Sequence, residues 1–393
     1  MIISPRVKGF ICVSAHPHGC EASVREQAQY AARHPFQGPA RALVIGCSSG
    51  YGLASRIALC VGAKTKTLGV SLEREPAPNK TASAGWYNNL AFDALAQEQG
   101  VESYTLNQDA FQPDTKQRCI DLIKEKFGQV DLVVYSLAAP RRYVAAEDRT
   151  YSSVLKPIGE DYQGKTIDTD RGQLRDVHLE AASEDEIAAT VKVMGGEDWQ
   201  EWIETLQQAG VLAQGCKTVA YTYIGDKITW PIYGDATIGQ AKKHLDVTVA
   251  NLNQGLKDLN GQAYIGVLKA LVTQSSAAIP VMPLYISLLY KVMKEQGNHE
   301  GCIEQISRLL RTGLYGDSCV TDAEGRLRVD EYELSLQVQQ EVQARWAQVN
   351  SDNLEQLADF SGYRQDFLKL FGFGFEQVDY QAEVDPMMPG VKS

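Results

Sequence analysis

The chain predicts an α/β fold built on a Rossmann-type, doubly wound parallel sheet. Short β-rich apolar runs alternate with longer helical stretches from about residue 40. A glycine-rich turn, Gly46-Cys-Ser-Ser-Gly50-Tyr-Gly52, directly follows the first of those runs. At 393 residues and 44% hydrophobic content the chain can bury a large core. Strand–helix alternation at this spacing puts helices on both faces of a parallel sheet, joined by right-handed crossovers.

In chain order, strands are expected at 42–45, 67–72, 103–106, 130–135, 218–223 and 263–267, where Val, Ile, Leu, Thr and Tyr cluster between turn residues. Helices are expected between them at 52–61, 86–99, 115–126, 184–194 and 238–260. Residues 7–14 read as a further strand packed on the same sheet. Residues 141–215 are longer than one crossover helix needs and read as an insertion over the active-site edge; within them Trp199 and Trp202, at i, i+3, read as core. Residues 297–393 read as a mainly helical C-terminal extension. No Pro/Gly/Ser linker separates these parts, so residues 1–393 form one large domain in this reading.

Composition excludes several functions. A net charge of −11 opposes the positive field that nucleic acid or a membrane surface requires, while leaving room for a local basic patch. No run of about eighteen apolar residues offers a membrane span, and the start lacks the pattern of a signal peptide. Eight cysteines are scattered without a Cys-x-x-Cys pair, as in a reducing compartment. A cytoplasmic protein is expected. His16-x-His18-x-Cys20 has no fourth ligand in view, so no metal is expected.

The glycine turn is where a cofactor fits. A pyrophosphate needs free backbone N–H groups and close approach of the chain, which Gly46, Gly50 and Gly52 allow, while Ser48 and Ser49 add hydroxyl donors. The spacing G-x3-G-x-G is that of short-chain dehydrogenases. The next strand ends at Leu72-Glu73, about twenty residues on; a carboxylate there accepts both ribose hydroxyls and repels a 2′-phosphate, which selects NADH over NADPH. Arg74 follows at once and can pair with a phosphate. Asp109-Ala110 and Ser136-Leu-Ala-Ala139 end the third and fourth strands and suit adenine and the nicotinamide ribose.

Downstream lie Tyr223, Tyr233 and Lys242. A phenol can stabilise and protonate an enolate formed by hydride addition to a carbonyl-conjugated double bond, with an ammonium nearby to favour the phenolate and to hold the nicotinamide ribose. Tyr233 and Lys242 are nine apart, which on a regular helix puts them on opposite faces. Gly234-Asp235 offers a break, with Asp235 as N-cap of a helix from about Ala236.

Together these residues resemble the bacterial type V enoyl-acyl-carrier-protein reductases and the related trans-2-enoyl-CoA reductases. The resemblance rests on Lys8-Gly-Phe-Ile, His16-Pro-His-Gly-Cys20, Val44-Ile-Gly-Cys-Ser-Ser-Gly-Tyr-Gly-Leu-Ala54 and Ala84-Gly-Trp-Tyr-Asn88. It continues through Val134-Tyr-Ser-Leu-Ala-Ala-Pro-Arg-Arg142, Val193-Met-Gly-Gly-Glu-Asp-Trp-Gln200, Tyr-x8-Lys, Lys291-Val-Met-Lys-Glu295 and Gly372-Phe-Gly374. It implies an enlarged short-chain-dehydrogenase fold, a monomer, and NADH-dependent reduction of the 2,3 double bond of an enoyl thioester on acyl carrier protein or coenzyme A, the last step of fatty-acid elongation. It implies Tyr233 as proton donor, Tyr223 as substrate contact and Lys242 as cofactor lysine. Cofactor contacts are implied at Gly46, Cys47, Ser48, Ser49, Gly50, Tyr51, Leu72, Glu73, Asp109, Ala110, Leu137, Ala138, Leu271, Val272 and Thr273. Cys47 stands where many members have alanine, which would open the pocket to thiol reagents. Residues 273–285 look more like the carrier-protein branch and cover the acyl chain in that comparison. The competing readings are a trans-2-enoyl-CoA reductase and a non-catalytic dinucleotide-binding sensor; keeping both Tyr233 and Lys242 speaks against the sensor.

Overall fold

A glycine decides the shape of the N-terminus. In the computed structural model, which describes residues 1–387, Gly9 takes φ +59° and turns the chain back. Val7–Lys8 (β1) and Ile11–Cys12 (β2) therefore pair antiparallel with each other. This corrects the expected strand at 7–14: the pair is a separate two-stranded sheet, its Gly9 N–H donating to the Asp170 carboxylate.

The main sheet begins with β3 (Arg41–Ile45), β4 (Lys66–Ser71), β5 (Ser103–Asn107) and β6 (Val130–Tyr135). The chain then leaves it for two antiparallel hairpins, β7 (Arg141–Val144) with β8 (Arg149–Ser152), and β9 (Tyr162–Asp168) with β10 (Gln173–Leu179). It returns through β11 (Leu212–Thr222), β12 (Gln262–Val267) and β13 (Leu327–Arg328). All seven strands of the sheet are parallel, in the order β13-β12-β11-β6-β3-β4-β5. The order reverses between β3 and β6, the crevice where open α/β sheets bind ligands.

Alternation along the strands feeds two cores. Ala42 and Val44 of β3 face α1 (Pro17–Arg33), α2 (Gly50–Ile57) and α3 (Ala84–Glu98), while Leu43 and Ile45 face the opposite layer. That layer is α4 (Pro113–Leu122), α6 (Glu197–Gln208) and α7 (Thr237–Gly255), with α5 (Glu184–Met194) packed on α7. Each fully buried Leu or Ile in these layers contributes about 1.5–3 kcal/mol. The helices expected at 52–61 and 115–126 are α2 and α4, each carried on by a wider π turn, Ala58–Gly62 and Ile123–Phe127.

Between β6 and β11, α6 is clamped to the sheet. Asp198 takes Lys116 Nζ at 2.8 Å and Tyr135 Oη at 3.0 Å, while Trp199 and Trp202 donate to Thr218 Oγ1 and the Ala110 carbonyl. Both tryptophans are core. In the β12–β13 connection, α8 (Gln274–Ala277) and α9 (Met282–Glu295) line the crevice side, and α10 (Cys302–Arg308) returns to the α2 face. The helical tail read from 297 thus contains one sheet strand, β13, too short to show as a pattern. After it, α11 (Leu336–Gln348), α12 (Leu354–Leu357) and α13 (Phe360–Lys369) follow, α11 and α13 closing on α9, whose residues are buried on nearly every side. Among the described residues no helix is long and apolar enough to cross a membrane.

Candidate active site

The glycines at the switch point are dictated by crowding. Gly46 has φ +84°, and a Cβ there would fall 2.2 Å from the Ser136 carbonyl oxygen at the end of β6. A Cβ on Gly52 would fall 1.9 Å from the Gly46 carbonyl oxygen. Ser49 precedes α2 in extended conformation with no side-chain cap, so the first N–H groups of the helix face the crevice with the dipole's positive end behind them. This cradle fits a dinucleotide pyrophosphate.

Glu73 stands beside it. Its carboxylate accepts from Ser48 Oγ and Ser83 Oγ, both at 2.5 Å, and its backbone is bracketed by the Asn107 side chain. Gly85 makes room, since a Cβ there would sit 2.1 Å from Glu73 Oε1. Arg74 is turned to the Thr81 carbonyl. Leu72 is exposed at the rim. Asp109 accepts from the Phe111 N–H and Gln112 Nε2 within its own loop, beside buried Ala110. Leu137 and Ala138 follow Ser136 out of β6. Leu271 and Val272 are buried, the Val272 N–H donating to Tyr290 Oη; Thr273 caps α8 and lies 3.6 Å from a Cβ built on Gly50. The turn at 46–51 and the loop at 271–273 therefore face each other.

Cys47 departs from expectation. Its thiol is buried beneath the turn, among Asn89 and Arg56, and burial raises its pKa. A protonated, inaccessible sulfur is a poor target for thiol reagents.

Tyr223, Tyr233 and Lys242 are each tied to the C-terminal end of β11. Tyr223 follows that strand, and its ring meets Tyr233 edge-on, centroids 4.9 Å apart at 81°. Tyr233 is buried and ends the short helix Trp230–Ile232. α7 starts at Thr237 with Ala236 at the cap position, not Asp235, and without a side-chain cap bond. Tyr233 thus lies ahead of the helix and Lys242 inside it, so the nine-residue step does not separate them by helical phase. Lys242 Nζ donates to the Tyr221 carbonyl at 3.2 Å. Tyr221 Oη pairs with Ser55 Oγ of α2, and Tyr51 Oη donates to the Lys269 carbonyl. These two bonds join the tyrosine–lysine corner to the glycine turn.

Burial raises the Tyr233 pKa, partly offset by a hydrogen bond with the Tyr223 backbone. The hydrogen bond of Lys242 runs to a carbonyl rather than to that phenol, and burial pulls its pKa down to about 8. Two buried charged residues here had no sequence signal: Lys269 after β12 and Glu333 after β13. Neither belongs to a motif or a periodic face. Elsewhere, His16 caps α1 by accepting the Gly19 N–H, and burial lowers its pKa to about 4.

Comparison with known proteins gives consistent matches over the chain. Residues 80–315 match the family described as the trans-2-enoyl-CoA reductase catalytic region, and residues 2–78 its NAD(P)H binding domain. Residues 321–384 match a region described as an enoyl reductase FAD binding domain. The chain is 54% identical to the enoyl-[acyl-carrier-protein] reductase [NADH] of Idiomarina loihiensis over 98% of this chain and 99% of the relative. It is 53% identical to that of Burkholderia vietnamiensis over 100% and 99%. Among solved structures, the Treponema denticola trans-2-enoyl-CoA reductase in complex with NAD superposes with a TM-score of 0.94 at 46% identity, covering 98% of both chains. A Clostridium trans-2-enoyl-CoA reductase in complex with NADH gives 0.97 at 40%, covering 100% of both. Within residues 321–384, Val338, Val342, Phe360, Tyr363 and Phe367 are spent on core packing.

Proposed function

This chain belongs to the family of trans-2-enoyl-CoA reductases and NADH-dependent enoyl-[acyl-carrier-protein] reductases, and from that premise we propose that it uses NADH to reduce the 2,3 double bond of an enoyl thioester borne on acyl carrier protein, with Tyr233 as the proton-giving residue. The observation that carries the residue assignment is the edge-on Tyr223–Tyr233 pair at the end of β11, tied through Tyr221–Ser55 to the glycine turn.

Gly46, Ser48, Ser49, Gly50 and Tyr51, with Glu73 and residues 271–273, would hold the dinucleotide, which when bound supplies the hydride for C3. The protein's share is to manage the charge that appears on the thioester oxygen. Tyr233, a phenol kept neutral by burial, donates to that oxygen as the enolate forms. Lys242, anchored by the Tyr221 carbonyl, serves the nicotinamide ribose and adds a positive field. The buried rings around Tyr233 exclude water and strengthen both effects.

The carrier protein is favoured because the relatives at 53–54% identity over nearly the whole chain carry that name. Those named for coenzyme A stand at 40–46%. With one enoyl chain offered on both carriers, kcat/KM is expected to be at least about tenfold higher on acyl carrier protein, a difference of about 1.4 kcal/mol. Equal or greater turnover of the coenzyme A ester would assign the trans-2-enoyl-CoA reaction instead. For the cofactor, Glu73→Ala should raise the NADPH/NADH ratio of kcat/KM about tenfold by removing the negative charge from the ribose site. An unaltered ratio would take the selection away from Glu73.

A further inference from the structure

A carboxylate from the chain after β13 reaches into the tyrosine corner. Glu333 is fully buried. Its Oε1 accepts from Tyr223 Oη at 2.9 Å and from Tyr285 Oη, on α9, at 2.7 Å. Its Oε2 accepts from the Ala270 N–H at 2.6 Å. Burial raises the Glu333 pKa, and Lys269, whose Nζ donates to the Ala270 carbonyl at 3.0 Å, counters this with a positive field on the carboxylate. Among the described residues Lys269, Tyr223 and Tyr285 are the titratable groups against Glu333, with Tyr51 and Tyr233 just beyond them.

We infer that Glu333 is a positioning residue for the reduction: it holds the Tyr223 hydroxyl in one orientation against the substrate pocket, so that the two adjacent phenols take different roles. This rests on the reading of Tyr223 and Tyr233 given above. A hydroxyl has one proton, and Tyr223, which gives it to Glu333 and has the Thr229 hydroxyl beside the same oxygen, keeps none for a substrate. Among the described residues no carboxylate accepts from Tyr233, whose oxygen instead meets the Tyr223 backbone, so its proton is free for the enolate. Neighbouring titratable groups held in unlike environments are how sites divide acid and base work. Tyr223, with the Glu333 charge beside it, is raised further towards the neutral phenol.

A purely structural staple, pinning β12 to the C-terminal helices through Ala270, is the competing account. The test separates them with a double-mutant cycle in the full-length enzyme, followed by NADH oxidation. Glu333→Gln should lower kcat on the order of 10- to 100-fold with the KM for NADH within twofold. In a Tyr223→Phe background the same change should cost nothing further. Full additivity of the two losses, or a full-rate Glu333→Gln enzyme, would overturn the proposal. Should the amide fail to fold, Glu333→Asp keeps the charge but withdraws it by about 1.5 Å; a comparable loss of kcat at normal KM supports the role, and full turnover overturns it. Failure of the underlying reading looks different: wild-type protein would oxidise no NADH with any enoyl thioester, or Tyr233→Phe would turn over normally.

Discussion

Tyr233→Phe is expected to lower kcat by two to four orders of magnitude while NADH affinity stays within about twofold, because positioned proton donation contributes on that scale. The substitution removes one oxygen and keeps the ring. The edge-on packing against Tyr223 and the burial of the aromatic body survive, so the thermal midpoint should hold within a few degrees. In the proposed mechanism the loss is confined to the oxygen placed against the developing enolate. Burial raises the phenol's pKa, so it carries its proton throughout the neutral range. Steady-state NADH oxidation with an enoyl thioester, beside a fluorescence titration of NADH, checks both halves. An unchanged rate would remove Tyr233 from the chemistry, and a matching fall in NADH affinity would show that it shapes the cofactor pocket instead.

The legibility of this site follows from where its determinants lie. The β3–turn–α2 unit could be read because three glycines, an apolar strand and a helix are contiguous; Gly46 and Gly52 are required by close contacts and Gly50 by its φ of +51°. Strand β6 and helix α5 fall where periodicity puts them. Helix α1 escaped because its buried face, Val24 and Pro17 apart, is made of small residues, Gly19, Cys20, Ala22, Ala28 and Ala31, amid polar neighbours. The β9–β10 hairpin escaped because its strands are polar and mostly half-exposed. Glu333 could not have been found from a motif. An isolated carboxylate in an acidic stretch acquires meaning only when the fold carries it to Tyr223 and Tyr285. The Tyr233–Lys242 step shows the same limit: helical phase could not be applied across it, because Tyr233 lies in the irregular backbone ahead of Thr237, where α7 begins.

Lys242→Ala is expected to weaken NADH binding about tenfold and to cut kcat about a hundredfold, since in the proposed mechanism it withdraws a cation from both the ribose and the enolate. The pH dependence gives a sharper test. Burial holds the ammonium's pKa near 8, so in the free enzyme kcat/KM should decline as pH rises through about 8, and that limb should vanish in the variant. Lys269 is also lowered to about 8; a limb that persists in Lys242→Ala belongs to it. Unfolding cannot imitate this result through Lys242. Its folded pKa lies below the value of about 10.4 for an unfolded lysine, so between those two pH values the unfolded chain binds more protons and this residue's contribution to stability rises with pH. Wild-type activity should therefore fall above pH 8 while the Lys242 contribution to the thermal midpoint moves upward. If the wild-type midpoint drops across that window relative to Lys242→Ala, the ammonium is stabilised in the folded state and the limb near pH 8 does not belong to Lys242.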